Sequence, residues 1–210
     1  MNCNEEVKQI VHITFVALIS IFLAGCTEEK SQNQINYPKA YVSYSDYENI
    51  VKEVKPIRKL RLINYDQLID LQKKENVILL DTRSKNKYQQ KHLKGAINLP
   101  FTEFTQSNLR NLIPDIKTRI IIYCNNNFDG DSILFASKTF TPDQIGKLSL
   151  AMQKDSIMLA LNIPTYINLH GYKYQNIYEL NELINISDDR LKLEGSNLRI
   201  LNTVESIEVR

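Results

Sequence analysis

The residue best placed to do chemistry is Cys124. It follows the apolar run Arg119-Ile120-Ile121-Ile122-Tyr123, which predicts a buried strand. It opens Asn125-Asn126-Asn127-Phe128-Asp129-Gly130-Asp131, a run of turn formers. A thiol at the carboxyl tip of a parallel strand stands where open α/β sheets place their ligands. To act as a nucleophile it must ionise, and amide dipoles, a helix N-terminus or a nearby cation lower its pKa from about 8.5. Two other chemistries are excluded by spacing. A phosphate-gripping C-x5-R loop needs arginine where Gly130 stands. Asn125, Asn127, Asp129, Gly130 and Asp131 match the opening of a calcium loop, but its bidentate glutamate position holds Ala136. Neither a CxxC pair nor a zinc ligand cluster occurs, so no metal and no cofactor are expected.

The chain has three cysteines, and the N-terminus accounts for two. From Ile10 to Gly25 the sequence is apolar except for His12, Thr14 and Ser20. A spanning helix needs about 20 apolar residues, so this run fits the core of a secretory signal better than an anchor. It ends in Leu23-Ala24-Gly25-Cys26, which resembles the lipobox of bacterial lipoproteins. That resemblance implies cleavage before Cys26 and acylation of its thiol, palmitate among the chains. It also implies a lipid anchor in a membrane of the cell envelope, facing away from the cytoplasm. Thr27, rather than aspartate, favours the outer membrane if the cell is Gram-negative. Cys3 lies in the removed segment, so Cys124 has no intrachain partner.

Basic and acidic residues number 26 and 24, a net charge of +2, which gives no reason to expect a nucleic-acid partner. The expected organisation is a signal peptide over 1–25, a lipid tether and arm over 26–55, one domain over 56–185 and an extension over 186–210. Tyr37, Tyr41, Tyr44 and Tyr47 recur at helical spacing, which predicts a helix packed on the domain. Strands are expected over Ile57–Leu62, Val77–Asp81, Gly95–Pro100, Arg119–Tyr123 and Asn176–Leu180. Helices are expected from Asn64, capped with Gln67, over Ser84–His92 and over Ser107–Ile113. This alternation predicts an α/β domain around a mainly parallel sheet. Arg190–Glu194 and Leu198–Leu201, around Gly195-Ser196-Asn197, predict a C-terminal hairpin.

Four blocks then resemble the rhodanese-like family, in the family's order. They are Val77-Ile78-Leu79-Leu80-Asp81-Thr82-Arg83, Tyr88 to Pro100 with Gly95-Ala96-Ile97-Asn98, Ile121-Ile122-Tyr123-Cys124, and Gly171 to Leu180. The resemblance spans about Lys55 to Ile184 and implies a rhodanese-like three-layer domain. It implies that Cys124 is the catalytic residue, taking sulfane sulfur as a persulfide from a small sulfur-containing substrate. It further implies an anion cradle built from the loop Asn125, Asn126, Asn127, Phe128, Asp129 and Gly130, ahead of a helix N-terminus. Asp81 and Arg83 would fix the turn after their strand, and His92 would satisfy backbone groups.

The chain departs from the family at the loop. Active sulfurtransferases of this kind place a cation in or just after it; here the first is Lys138. Asp129 and Asp131, if near the sulfur, would raise its pKa. The stretch from Cys124 to Gly171 is also about twice the family's length, with an insertion at about 128–156 read as a helical lid capped at Thr141-Pro142. Three readings follow: a sulfurtransferase, a catalytically weak or inactive module that binds a protein partner at the envelope, and a redox sensor.

Overall fold

The computed structural model describes residues 37–140 and 156–197. The compact unit that carries the sheet begins at Ser43. Ser43 starts helix α1 (Tyr44–Lys59) by accepting the Asp46 N–H at 3.2 Å. This helix runs through Pro56 to Lys59, so of the strand expected over Ile57–Leu62 the first part is a last helical turn and only Leu62 is in a strand. Buried Val54, one turn earlier, and Arg58, tied to the sheet, hold that turn despite the missing N–H. Tyr44 and Tyr47 face solvent, so within the helix the packing expected of the tyrosines is absent; Tyr37 and Tyr41 precede this unit. The contacts come instead from Val54, Ile50 and Val51.

Strand β1 (Leu62–Ile63) follows, then α2 (Tyr65–Gln72). The predicted Asn64 and Gln67 cap forms in both directions, each bond 2.9 Å. Next come β2 (Val77–Asp81), α3 (Lys85–Gln90), β3 (His92–Leu93), β4 (Ala96–Asn98), α4 (Gln106–Leu112) and β5 (Arg119–Tyr123). Beyond Cys124 lie β6 (Phe128–Asp129), β7 (Thr139–Phe140), β8 (Ile157–Met158), α5 (Asn162–Gly171), β9 (Ile177–Leu180), β10 (Ile184–Asn185) and β11 (Leu193–Glu194).

Five strands make one parallel sheet in the order β1-β9-β5-β2-β4. Its middle strand, β5, is buried on both faces, which is why it reads as an unbroken apolar run. Alternate residues serve separate cores. Leu79, Ile121 and Tyr123 pack with α2 residues Tyr65 and Leu68 on one side. Leu80, Ile120 and Ile122 pack with Val54, Leu109 and Tyr166 from α1, α4 and α5 on the other. The result is the expected helix–sheet–helix sandwich.

The inserted stretch leaves and returns through an antiparallel pair, Thr139 opposite Met158 and Phe140 opposite Ile157. The helix expected at Thr141-Pro142 lies outside the described residues. So does the Leu198–Leu201 arm of the expected C-terminal hairpin. Its other arm, β11, pairs antiparallel with β3. Gly195 permits this approach: its φ is +139°, and an added Cβ would lie 2.2 Å from the Gln90 carbonyl oxygen. Among the described residues no helix is long and apolar enough to cross a membrane.

Two substitutions gauge these contributions by urea unfolding. Asn64→Ala, which loses the cap, should lower stability by about 1 kcal/mol. Ile121→Ala, in the middle of a strand with no exposed surface, should cost about 2–5 kcal/mol.

Candidate functional site

Cys124 stands at the carboxyl end of the middle strand, as its sequence position implies, but it has no exposed surface. Its backbone N–H donates to Asn127 Oδ1 at 2.9 Å. Burial pushes the thiol above the ordinary 9.0, and Asp81 adds to the rise. The backbone N–H groups of Leu161 and Asn125 and the charge of Lys138 pull it down without winning. The amide cradle is therefore partial and comes from two places. Asn125 supplies one donor from the expected loop. Leu161 supplies the other from the N-terminus of α5, thirty-seven residues further along. No helix follows the loop directly; Asn125–Asn127 form a 3-10 turn and Phe128–Asp129 join β10 in a parallel pair.

Most of the loop side chains are occupied elsewhere. Asn127 Nδ2 donates to the carbonyls of Leu180 at 2.8 Å and Glu182 at 3.2 Å. Its Oδ1 also accepts from Asn162 Nδ2 at 3.1 Å. Asn126 Oδ1 accepts the Lys138 N–H at 2.8 Å, which ties the loop to β7. Asn125 Oδ1 is buried without a partner. Phe128 packs edge-on against Tyr123, with ring centres 5.9 Å apart. Asp129 accepts the N–H of Gly130, whose φ is +89°. Asp131 takes Lys91 at 2.8 Å and the Leu134 N–H at 2.8 Å. These bonds correct the expected effect of Asp129 and Asp131 on the sulfur, because the carboxylate that the thiol feels is Asp81.

Asp81 and Arg83 form a buried ion pair at 2.6 Å. Arg83 also donates to the carbonyls of Leu134 and Lys91, and Asp81 accepts the Tyr123 hydroxyl at 2.6 Å. The pair thus joins β2, the sheet's middle strand and the chain beyond the loop. His92 Nδ1 lies 2.6 Å from the Tyr88 carbonyl oxygen and its ring stacks on Tyr88 at 3.9 Å. Both arrangements fix backbone groups, and Asp81 acts on the thiol through its charge alone.

A cleft of about 360 Å³ adjoins the loop and is lined in part by Asn126, Asn127, Asn162, Arg58, Glu179 and Glu182. Sequence reading missed Leu161 and Asn162 because it placed no helix there. The signal was Asn162-Ile163-Pro164, a proline in the first turn, where its missing N–H costs nothing. Arg58 and Glu179 were missed because their pairing crosses 121 residues. Among the described residues no cluster of three or more His, Cys, Asp or Glu is arranged to hold a metal.

Residues 64–146 match the family model described as a Rhodanese-like domain. The fold is rhodanese-like: an α/β sandwich around a parallel five-stranded sheet. The chain is similar to a solved rhodanese with anions from E. coli, at 17% identity and a TM-score of 0.33, over 57% of this chain and 99% of that one. It is also similar to the BH2092 protein from Bacillus halodurans, at 24% identity and a TM-score of 0.29, over 44% of this chain and 64% of that one. No curated protein matches.

Two outcomes follow from the site. Asn127→Asp removes both side-chain N–H donors and turns a carboxylate toward two carbonyls. It should destabilise by about 3 kcal/mol or more, read by urea unfolding. The thiol gives an alkaline limit: its native pKa lies above the 9.0 of the unfolded chain. Its contribution to stability is complete below pH 9.0 and is lost as pH rises through the native value. Cys124→Ala should flatten that part of the stability curve above pH 9.0, followed by the urea midpoint.

Proposed function

We propose that this chain is a lipid-anchored, rhodanese-fold binding module of the cell envelope whose cysteine is catalytically weak. One observation carries the reading: the Cys124 thiol has no exposed surface and burial holds it in the neutral form. A sulfur carrier needs the opposite, an accessible thiolate that can approach a donor sulfur. Lys138 acts on the thiol from the start of β7 rather than from within the loop, and does not offset desolvation. The lipid on Cys26 would hold the module at the membrane, the tether would give it reach, and a protein partner would meet the exposed face of the domain.

A second reading is favoured by the Leu161 and Asn125 amides, which point two donors at the sulfur as a persulfide would require. In that reading Cys124 carries sulfane sulfur when the surrounding chain opens.

Alkylation separates the two. Native protein is treated with iodoacetamide across a pH series, and in parallel with thiosulfate followed by intact-mass measurement. The binding module should show an apparent thiol pKa at or above 9.0 and no added sulfur. A pKa near neutral together with a persulfide of Cys124 would replace it with the sulfurtransferase. Lipid attachment is read separately: palmitate labelling and detergent-phase partition should both disappear in Cys26→Ala.

A further inference from the structure

Asp129-Gly130 is the chain's single Asp-Gly step, and no Asn-Gly step occurs. Such a step can react with itself: the glycine nitrogen attacks the aspartate's own carboxyl carbon and closes a five-membered ring. Glycine favours this because no Cβ shields its nitrogen. Here the two reacting groups are already in contact. Asp129 Oδ1 accepts the Gly130 N–H at 2.8 Å, so the side chain is folded back over the nitrogen that would attack it. Groups held together in this way meet part of the barrier through orientation alone. Both residues are exposed, so water can leave the ring and return to it.

Asp131-Ser132, just beyond, gives the contrast. Asp131 Oδ1 accepts the N–H groups of Ile133 at 3.2 Å and Leu134 at 2.8 Å, and Oδ2 takes Lys91 at 2.8 Å. Burial pushes its carboxyl up, but the Leu134 N–H and Lys91 outweigh burial and hold the group below the ordinary carboxylate range. An ionised carboxylate committed to other donors is a poor electrophile. Asp129 therefore reacts and Asp131 does not.

We infer that Asp129-Gly130 is a self-modification site whose conversion to isoaspartate unfastens the cysteine loop. Gly130 N bonds to Asp129 Cγ, and the carboxyl OH leaves with the amide hydrogen as water, giving a succinimide. Water then adds to the ring carbonyl that was the main-chain carbonyl of Asp129 and breaks its bond to Gly130 N. The main chain now runs through Cγ and is one methylene longer, and the former carbonyl is a free carboxylate. One water leaves and one returns, and neither oxidant nor cofactor takes part.

The position decides the consequence. The Asp129 carbonyl accepts the Ile186 N–H at 2.8 Å, and β6 pairs with β10 through Phe128 and Asp129. Conversion takes that carbonyl out of the main chain and lengthens β6 at its pairing. Phe128, the preceding residue, is buried against Tyr123 and Phe135. It closes the loop that begins at the buried Cys124. Loss of the β6–β10 pair therefore opens the thiol to solvent.

Ageing of the full-length protein in detergent tests this, in parallel native and urea-unfolded samples at mildly acidic pH. Isoaspartate is read by enzymatic methylation with isoaspartate methyltransferase and located by peptide sequencing in the mass spectrometer. It should accumulate at Asp129 in the native protein within about tenfold of the rate in urea, since the fold already holds the reacting groups together. Asp131 should stay unmodified in the native sample. Aged protein should take iodoacetamide on Cys124 at least about tenfold faster than fresh protein, because local opening governs access to a buried group. Asp129→Glu, at an exposed position, would need a six-membered ring. It should abolish both methylation and the rise in Cys124 labelling while keeping the urea midpoint of fresh protein. A native rate below that window, isoaspartate at Asp131 instead, or Cys124 labelling unchanged by ageing would overturn the inference. So would an equal rise in labelling in the Asp129→Glu protein.

Discussion

The site depends on one buried side chain amide. Asn127 accepts from the Cys124 N–H and from Asn162, and donates to the carbonyls of Leu180 and Glu182. Four bonds from one residue join the end of β5, the start of α5 and the exit of β9. An asparagine amide has two donors and one carbonyl oxygen with two lone pairs, so its capacity is filled. Satisfied buried networks of this kind specify a single arrangement, since any rearrangement leaves a desolvated group unpaired. The loop after the cysteine is therefore anchored by its own third residue, and its course into β6 follows from that anchor.

This anchoring sets up a contest at the sulfur. Two backbone amides and Lys138 favour the thiolate, while burial and Asp81 favour the thiol, and the second group wins. The magnitudes explain the direction: desolvation of a fully buried group is worth up to several pKa units, whereas an amide donor or a distant cation offsets only part of it. A loop cation would have altered the balance at close range. The loop from Asn125 to Ser132 has no cation, and its Asp129 accepts the Gly130 N–H.

Much of the fold was legible in advance because its signals are local. The asparagine–glutamine cap, the apolar β5 run and the Asp-x-Arg turn each depend on residues a few positions apart, and each appears where expected. The misread places are those where a distant partner overrides a local preference. Pro56 reads as a helix breaker, yet the helix continues because Arg58 reaches Glu179 across the sheet. The tyrosine periodicity was real, but the apolar face belongs to Ile50, Val51 and Val54 instead. At the site, Cys124 was visible from strand and turn chemistry. Its second amide donor was not, since Leu161 arrives from beyond the insertion.

The cleft joins one such distant pair, Arg58 with Glu179, to a local one, Glu182 with Arg190. Its charged residues come from α1, β9 and the chain after β9, and their counter-charges from α1 and the stretch before β11. Removing Arg58 would leave the carboxylate of Glu179, which is 3% exposed, without its counter-charge, so that pair is not available to a ligand.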